Sequence, residues 1–199
     1  MIIYLIRHAL SAANCRREWT GQRDSALSDS GVAELASIME RFEYPEADFY
    51  FCSPLRRCTD TLRFIYRREP DLAVPGFMEC SLGTLEGRPY TNLNDDRNYL
   101  AWIESPDRTA NGGESFNAFR SRCEYSFAGV VSLLTKKKVR AAAGVMHGNV
   151  MRAILCRYAD VSVPHSAWKI PNCGFYELDI DEKNGEVRSW KHGPEFLFK

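Results

Sequence analysis

Two histidines stand where apolar runs stop. Arg7 and His8 follow MIIYLI, and His147 follows VRAAAGVM, with Gly148 and Asn149 directly behind it. A third run, FYFCS, gives way to Pro54, Leu55, Arg56 and Arg57. An imidazole offers a nucleophilic nitrogen, and a guanidinium is a planar fork that matches phosphate oxygens two at a time. Helix starts at such junctions add free backbone N–H groups. Together these groups favour a dianionic oxyanion, and phosphate is the obvious one. Each junction alone says little, because a single histidine after a strand is more often a buried structural residue. The weight comes from three junctions with the same chemistry.

Other routes to phosphate chemistry are missing from the chain. There is no G-x-x-x-x-G-K-[ST] loop, and no G-x-G-x-x-G follows a strand-like run. None of the seven cysteines has an arginine six positions later, so the usual cysteine-phosphatase loop is absent. Asp95 and Asp96 are adjacent but fall in a polar stretch that reads as a solvated loop, and no evident metal site is expected. Histidine itself remains as the nucleophile.

The elements that must position these groups are legible in the pattern. Residues 1–6, 48–53 and 139–146 read as buried strands. A helix is predicted over 28–42, with Val32, Leu35, Ala36 and Met39 as its apolar face. A second is predicted from Pro54, buried through Leu55, Cys58, Leu62 and Ile65, with the proline in its first turn. A long helix from near Glu114 carries the stripe Phe116, Phe119, Cys123, Phe127, Val130, Val131 and Leu134, and residues 148–159 are helical. FYELDI and EVRSW, joined through Asp-Glu-Lys-Asn-Gly, form a terminal hairpin. Strands alternating with helices predict an α/β fold, a mostly parallel sheet with helices on both faces. In such sheets ligands bind beyond the carboxyl ends of the strands, where all three junctions fall. The expected organisation is one domain over residues 1–199 with a cap insertion at about 88–112.

Lys plus Arg equals Asp plus Glu, at 26 each, so nothing advertises a nucleic-acid partner. The cysteines are odd in number and scattered, with no C-x-x-C pair, which suits free thiols in a reducing compartment. No leader-like start and no apolar stretch of membrane-spanning length is present. The expected setting is the cytoplasm, with a small phosphorylated substrate as partner, no nucleic acid, no membrane, and a homodimer left open.

The order of motifs resembles the histidine phosphatase superfamily, also called phosphoglycerate mutase-like. The resemblance runs almost end to end. It rests on Arg7-His8-Ala9 with Asn14; on T-G-Q-R-D-S-A-L-S-D-S-G at 20–31; on Ser53-Pro54-Leu55-Arg56-Arg57; on Glu79, Gly83, Glu86 and Gly87; on Gly113-Glu114-Ser115 with Arg120 or Arg122 behind; and on Met146-His147-Gly148. It implies a three-layer α/β/α sandwich and a phosphohistidine formed on His8. Arg7, Arg57 and His147 would hold the phosphoryl oxygens, and Glu79 would give a proton to the leaving group. Asn14, Thr20, Gly21 and Gly148 would be substrate contacts, with no metal and no cofactor. Bound phosphate, being negative, favours a protonated Glu79. Ala9 replaces the family's glycine, Leu10 stands where acidic or hydroxyl residues are common, Met146 replaces a serine, and Asn149 replaces a second glycine. None of these removes a catalytic group.

The leading expectation is a metal-independent phosphomonoesterase, most like the α-ribazole and broad-specificity phosphatase branches. Phosphoglycerate mutase-type transfer is the alternative, and a weakly active phospho-ligand binder is a third. The glycolytic mutases have a longer insertion and a longer C-terminal tail than this chain offers between Gly87 and Gly113 and before Lys199, which favours hydrolysis. Arg16, Arg17, Trp19, Arg23, Arg88, Tyr90 and Trp102 could form a basic and aromatic rim, or simply a solvated face.

Overall fold

The computed structural model describes residues 1–90, 96–105, 107–109 and 111–198. Asp95, of the polar stretch noted above, lies outside them. Six strands form one sheet: β1 (Ile2–Arg7), β2 (Phe49–Cys52), β3 (Leu72–Ala73), β4 (Ala141–Met146), β5 (Phe175–Ile180) and β6 (Val187–Gly193), in spatial order β3-β2-β4-β1-β5-β6. β1, β2, β3 and β4 run parallel, while β5 and β6 form the antiparallel hairpin.

Alternation along each strand splits the core in two. Ile3, Leu5, Phe51, Ala142, Met146 and Leu178 face one side, against α5 (Phe116–Lys136) and α6 (Gly148–Ile154). Ile6, Tyr50, Cys52, Ala143 and Val145 face the other, against α2 (Asp29–Arg41) and α3 (Arg56–Tyr66). Three layers result. A four-residue helix, α1 (Ala12–Cys15), follows β1, and α4 (Arg97–Glu104) lies in the predicted insertion.

Some local expectations need correction. The buried line of α2 is Gly31, Leu35 and Ile38, with Val32, Ala36 and Met39 only half-buried. Close approach sets that rotation: a Cβ on Gly31 would sit 2.1 Å from the Leu10 carbonyl oxygen. Pro54 precedes α3 rather than opening it. No local side chain caps α3; the Asp24 carboxylate, from a distant segment, accepts the Arg56 N–H at 2.7 Å instead. α5 starts at Phe116, capped by Ser115, which leaves Glu114 outside the helix. Phe116 itself is half-buried, and the rest of the predicted stripe is buried. Residues 148–159 are helical as expected, with α6 passing into a π-helical turn over Leu155–Ala159.

Candidate active site

Neighbouring parallel strands end together, and that delivers the site. Arg7 pairs with Met146 and Cys52 with Val145 in the register, so His8, Ser53 and His147 emerge side by side at one sheet edge. Backbone bonds continue the ladder past the strand ends: His8 N–H donates to the Met146 carbonyl at 3.0 Å, and Ser53 N–H to the Val145 carbonyl at 3.0 Å. The His8 and His147 rings meet edge-on, with centroids 5.2 Å apart.

His8 is buried rather than sitting on a loop surface. Its Nδ1 lies 2.7 Å from the Ala9 carbonyl oxygen. A carbonyl only accepts, so Nδ1 carries the proton and Nε2 keeps the lone pair. Burial, then the charges of Arg57 and Arg7, hold the imidazole well below its ordinary pKa, so it stays neutral. The Ala9 N–H donates to Thr61 Oγ1 at 3.0 Å, and Asn172 Nδ2 donates to the His8 carbonyl at 2.7 Å, fixing the backbone on both sides of the ring. Ala9 is not among the residues with positive φ, so its methyl costs the backbone nothing here.

His147 is fully buried and held neutral in the same way, by burial first and by Arg57 second. Arg57 Nε donates to its Nδ1 at 3.2 Å, so Nε2 carries the proton and donates to Ser53 Oγ at 2.8 Å. Cys58 packs against the ring, and burial raises its thiol pKa well above normal, so it contacts His147 as a neutral group.

Arg57, 1% exposed, is braced by the loop before α2. Its Nη1 donates to the Arg23 carbonyl at 3.0 Å and its Nη2 to the Gly21 carbonyl at 2.9 Å. That loop needs glycine at 21, where φ is +48° and a Cβ would meet Glu86 Oε1 at 2.2 Å. The same Glu86 oxygen accepts from the Gln22 N–H at 2.9 Å and the Leu82 N–H at 3.0 Å, tying two segments together. Asn14 closes a capping box in which its Oδ1 accepts from the Ser11 N–H and hydroxyl.

Glu79 comes from a segment without regular structure. Its Oε1 accepts the Cys80 N–H at 2.8 Å and its Oε2 the Asn149 N–H at 3.4 Å. What holds that segment is Arg122 of α5, not Arg120. Arg122 makes a two-bond pair with Glu114, at 2.9 and 2.6 Å, and reaches the carbonyls of Gly76, Met78 and Glu79. Glu114 in turn accepts the Ser81 N–H at 3.1 Å. Sequence reasoning marked Glu114 and an arginine behind it only as a motif. The eight-residue spacing on the rim of a helix was the available signal for a brace.

A cavity of about 660 Å³ lies over this edge. Its lining includes the polar residues Arg7, Asn14, Thr20, Gly21, Glu79 and Asn149, together with the aromatic and basic side chains of Trp19, Trp102, Arg108, Phe116 and His165. His8, Arg57 and His147 are packed behind the lining rather than in it. Gly148 stands between two guanidinium groups: a Cβ there would lie 3.5 Å from Arg7 Nε and 3.7 Å from Arg152 Nη1. Burial lowers the Arg7 pKa, and the Glu79 carboxylate pulls it the other way. Of the expected rim, Trp19 and Trp102 line the cavity and meet edge-to-face with centroids 5.6 Å apart. Arg16 and Arg23 pair with Glu18 at 2.7 and 3.8 Å, Arg88 pairs with Asp96, and Arg17 is exposed.

The chain matches known proteins over nearly its whole length. A model of the Histidine phosphatase superfamily (branch 1) covers residues 3–193. The metal-independent phosphoserine phosphatase of Arabidopsis thaliana is 28% identical over 198 residues, 94% of this chain and 80% of that protein. The crystal structure of the α-ribazole phosphatase from Shigella flexneri superposes with a TM-score of 0.76 at 25% identity, over 95% of each chain. A phosphoglycerate mutase from Bacillus anthracis str. Sterne shares the fold, with a TM-score of 0.80 at 17% identity over 95% of this chain and 91% of that one. Motif order, fold and relatives agree that this chain belongs to branch 1 of the histidine phosphatase superfamily and is a phosphatase.

Proposed function

We propose that the chain hydrolyses a small phosphorylated metabolite without a metal, through a phosphohistidine on His8. The observation that carries this is the His8 tautomer. With Nδ1–H committed to the Ala9 carbonyl, the neutral ring presents a lone pair on Nε2. That nitrogen attacks phosphorus, the ester P–O bond breaks, and its electrons leave on the alcohol oxygen. Glu79, held on the cavity wall, supplies the proton that makes the alcohol neutral. The Glu79 carboxylate then takes a proton from water, the water oxygen attacks phosphorus, and the P–N bond breaks to return His8 and free phosphate. Arg7 on the lining and Arg57 behind it stabilise charge on the phosphoryl oxygens. His147 joins them by passing its Nε2–H from Ser53 to a phosphoryl oxygen. Asn14, Thr20 and Gly21 border the space the substrate fills, and Gly148, outside that lining, stands beside Arg7.

The same phosphohistidine can pass its phosphoryl group to a second substrate hydroxyl. A mutase must exclude water while its intermediate reorients, which takes a closing lid. Between Gly87 and Gly113 the described cover is one eight-residue helix, α4, so water is the better acceptor.

Trapping with a radiolabelled phosphomonoester is expected to give an acid-labile, base-stable phosphoenzyme in wild type and none in His8→Gln. Equal labelling of the variant removes His8 from the role. Incubation with 3-phosphoglycerate and a trace of 2,3-bisphosphoglycerate is expected to release phosphate faster than it yields 2-phosphoglycerate. The reverse order replaces hydrolysis with mutase transfer.

A further inference from the structure

One peptide unit behind the cavity is held at both of its polar atoms by side chains from distant segments. It joins His8 to Ala9. Its N–H donates to Thr61 Oγ1 at 3.0 Å, and its carbonyl accepts from Asn172 Nδ2 at 2.7 Å. A peptide is planar, so pinning both atoms fixes its orientation, and with it ψ of His8 and φ of Ala9. Thr61 has no freedom to turn away. Its hydroxyl hydrogen is given to the Arg57 carbonyl at 2.6 Å, so a lone pair is what faces Ala9. Thr61 is fully buried on α3, one turn beyond Arg57, and ties the helix that carries Arg57 to the segment that carries His8.

Asn172 reaches His8 from a turn that contains a left-handed residue. The Gly174 N–H donates to the Pro171 carbonyl at 3.1 Å, and Cys173 has φ of +64°, a region that residues with a β-carbon rarely occupy. Surrounding bonds hold it there. The Cys173 N–H donates to the Arg7 carbonyl at 3.0 Å, the Arg7 N–H donates to the Gly174 carbonyl at 2.9 Å, and the Tyr44 hydroxyl donates to the Cys173 carbonyl at 2.7 Å. Arg7 Nη1 also donates to the Ile170 carbonyl. Strain kept in a turn that grips the nucleophile's own backbone points to function.

The held peptide leads directly to the Ala9 carbonyl, which accepts the His8 Nδ1–H at 2.7 Å. As Nε2 bonds to phosphorus the ring gains positive charge, and this hydrogen bond strengthens. A carbonyl fixed before the reaction stabilises that charge without reorganising. Resting on the reading of His8 as the nucleophile, we propose that Thr61 and Asn172 are positioning residues for phosphoryl transfer, holding the His8–Ala9 peptide so that the imidazole keeps its proton on Nδ1 and turns Nε2 toward phosphorus. Neither residue lines the cavity, so they act on the chemical step and not on substrate binding.

Rapid-quench trapping of the phosphoenzyme at saturating p-nitrophenyl phosphate tests this, together with nitrogen NMR of the histidine rings. Thr61→Val and Asn172→Leu keep the shape of the side chain and remove its hydrogen-bonding group. Each is expected to slow phosphoenzyme formation by about tenfold or more, with KM changed by less than about twofold. Thr61→Ser, which restores the hydroxyl, is expected to recover most of the rate that Thr61→Val loses. The His8 ring, assigned by its absence from His8→Gln, is expected to carry its proton on Nδ1 alone in wild type and to show mixed tautomers in Thr61→Val and Asn172→Leu. Formation at the wild-type rate in both variants overturns the proposal. So does a rise in KM with the rate kept, or slower formation with the wild-type tautomer retained, which marks a general packing defect. A wild type that gives no phosphoenzyme removes His8 as the nucleophile and this proposal with it. A wild type that gives phosphoenzyme but shows mixed tautomers removes the proposal alone. Should Thr61→Val fail to fold, the half-buried Asn172 and the wild-type ring spectrum still decide.

Discussion

Arg122 on α5 and Glu114 just outside it are joined by two hydrogen bonds, and together they grip the backbone that presents Glu79. Neither residue lines the cavity. Their effect on chemistry is therefore felt through the general acid. Arg122→Gln is expected to slow hydrolysis of an alkyl phosphate by about tenfold or more, an alcohol being a poor leaving group that needs a well-placed proton. Hydrolysis of p-nitrophenyl phosphate, whose leaving group is stable as an anion, is expected to fall much less. Equal losses on both substrates would indicate a general structural defect rather than displacement of Glu79.

The two buried imidazoles make stability depend on pH. Both His8 and His147 have folded-state pKa values well below the ordinary 6.5, chiefly through burial. The unfolded chain then binds protons that the native chain does not. The contribution of these two rings is level above about pH 6.5 and falls as pH drops below it, by up to about 1.4 kcal/mol per pH unit for each ring. Denaturant titrations between pH 7.5 and 5 are expected to show this slope. His8→Gln is expected to lose one ring's share of it, so the variant should gain on wild type as pH falls. A pH-independent difference between the two contradicts the assignment.

Adjacent arginines should differ sharply. Arg57 is buried and bonds His147 and the carbonyls of Gly21 and Arg23, whereas Arg56 is exposed and pairs with Asp60 at 3.1 Å. A lysine keeps the charge but cannot span three acceptors in different directions. Arg57→Lys is expected to lower kcat/KM by at least about tenfold, roughly 1.4 kcal/mol. Arg56→Lys should change it little. The opposite order would show that the wrong arginine of the pair has been assigned.

Chelation gives a further check. Arg7 and Arg57 supply the positive charge that a two-metal site provides in other phosphatases, and the neutral histidines supply the nucleophile and an N–H donor. Full activity is expected after dialysis against EDTA. Vanadate is expected to inhibit competitively as a five-coordinate phosphorus mimic. Activity lost in chelator and restored by magnesium or zinc would overturn the mechanism.

The sequence by itself determined five of the six strands (the two-residue β3 was not predicted), most of the helices, and the placement of Arg7, His8, Arg57 and His147 at one sheet edge. The reason is that these depend on local pattern. Apolar runs of strand length and helical spacing of Leu55, Cys58, Leu62 and Ile65 are written in contiguous residues, and parallel order follows from alternation of the two. The registers Arg7 with Met146 and Cys52 with Val145 then place three junctions side by side. Contacts between residues far apart in the chain were not legible. Whether His8 would be exposed or buried, which arginine after Glu114 holds the Glu79 segment, and that Arg57 would be braced by the Gly21 loop all depend on packing between segments 30 or more residues apart. The basic rim shows the same division. Arg16 and Arg23 were named for it from the sequence and Arg108 was not, and only the fold decides that Arg16 and Arg23 pair with Glu18 while Arg108 borders the cavity, because charge pairing is set by distance in space and not by order in the chain.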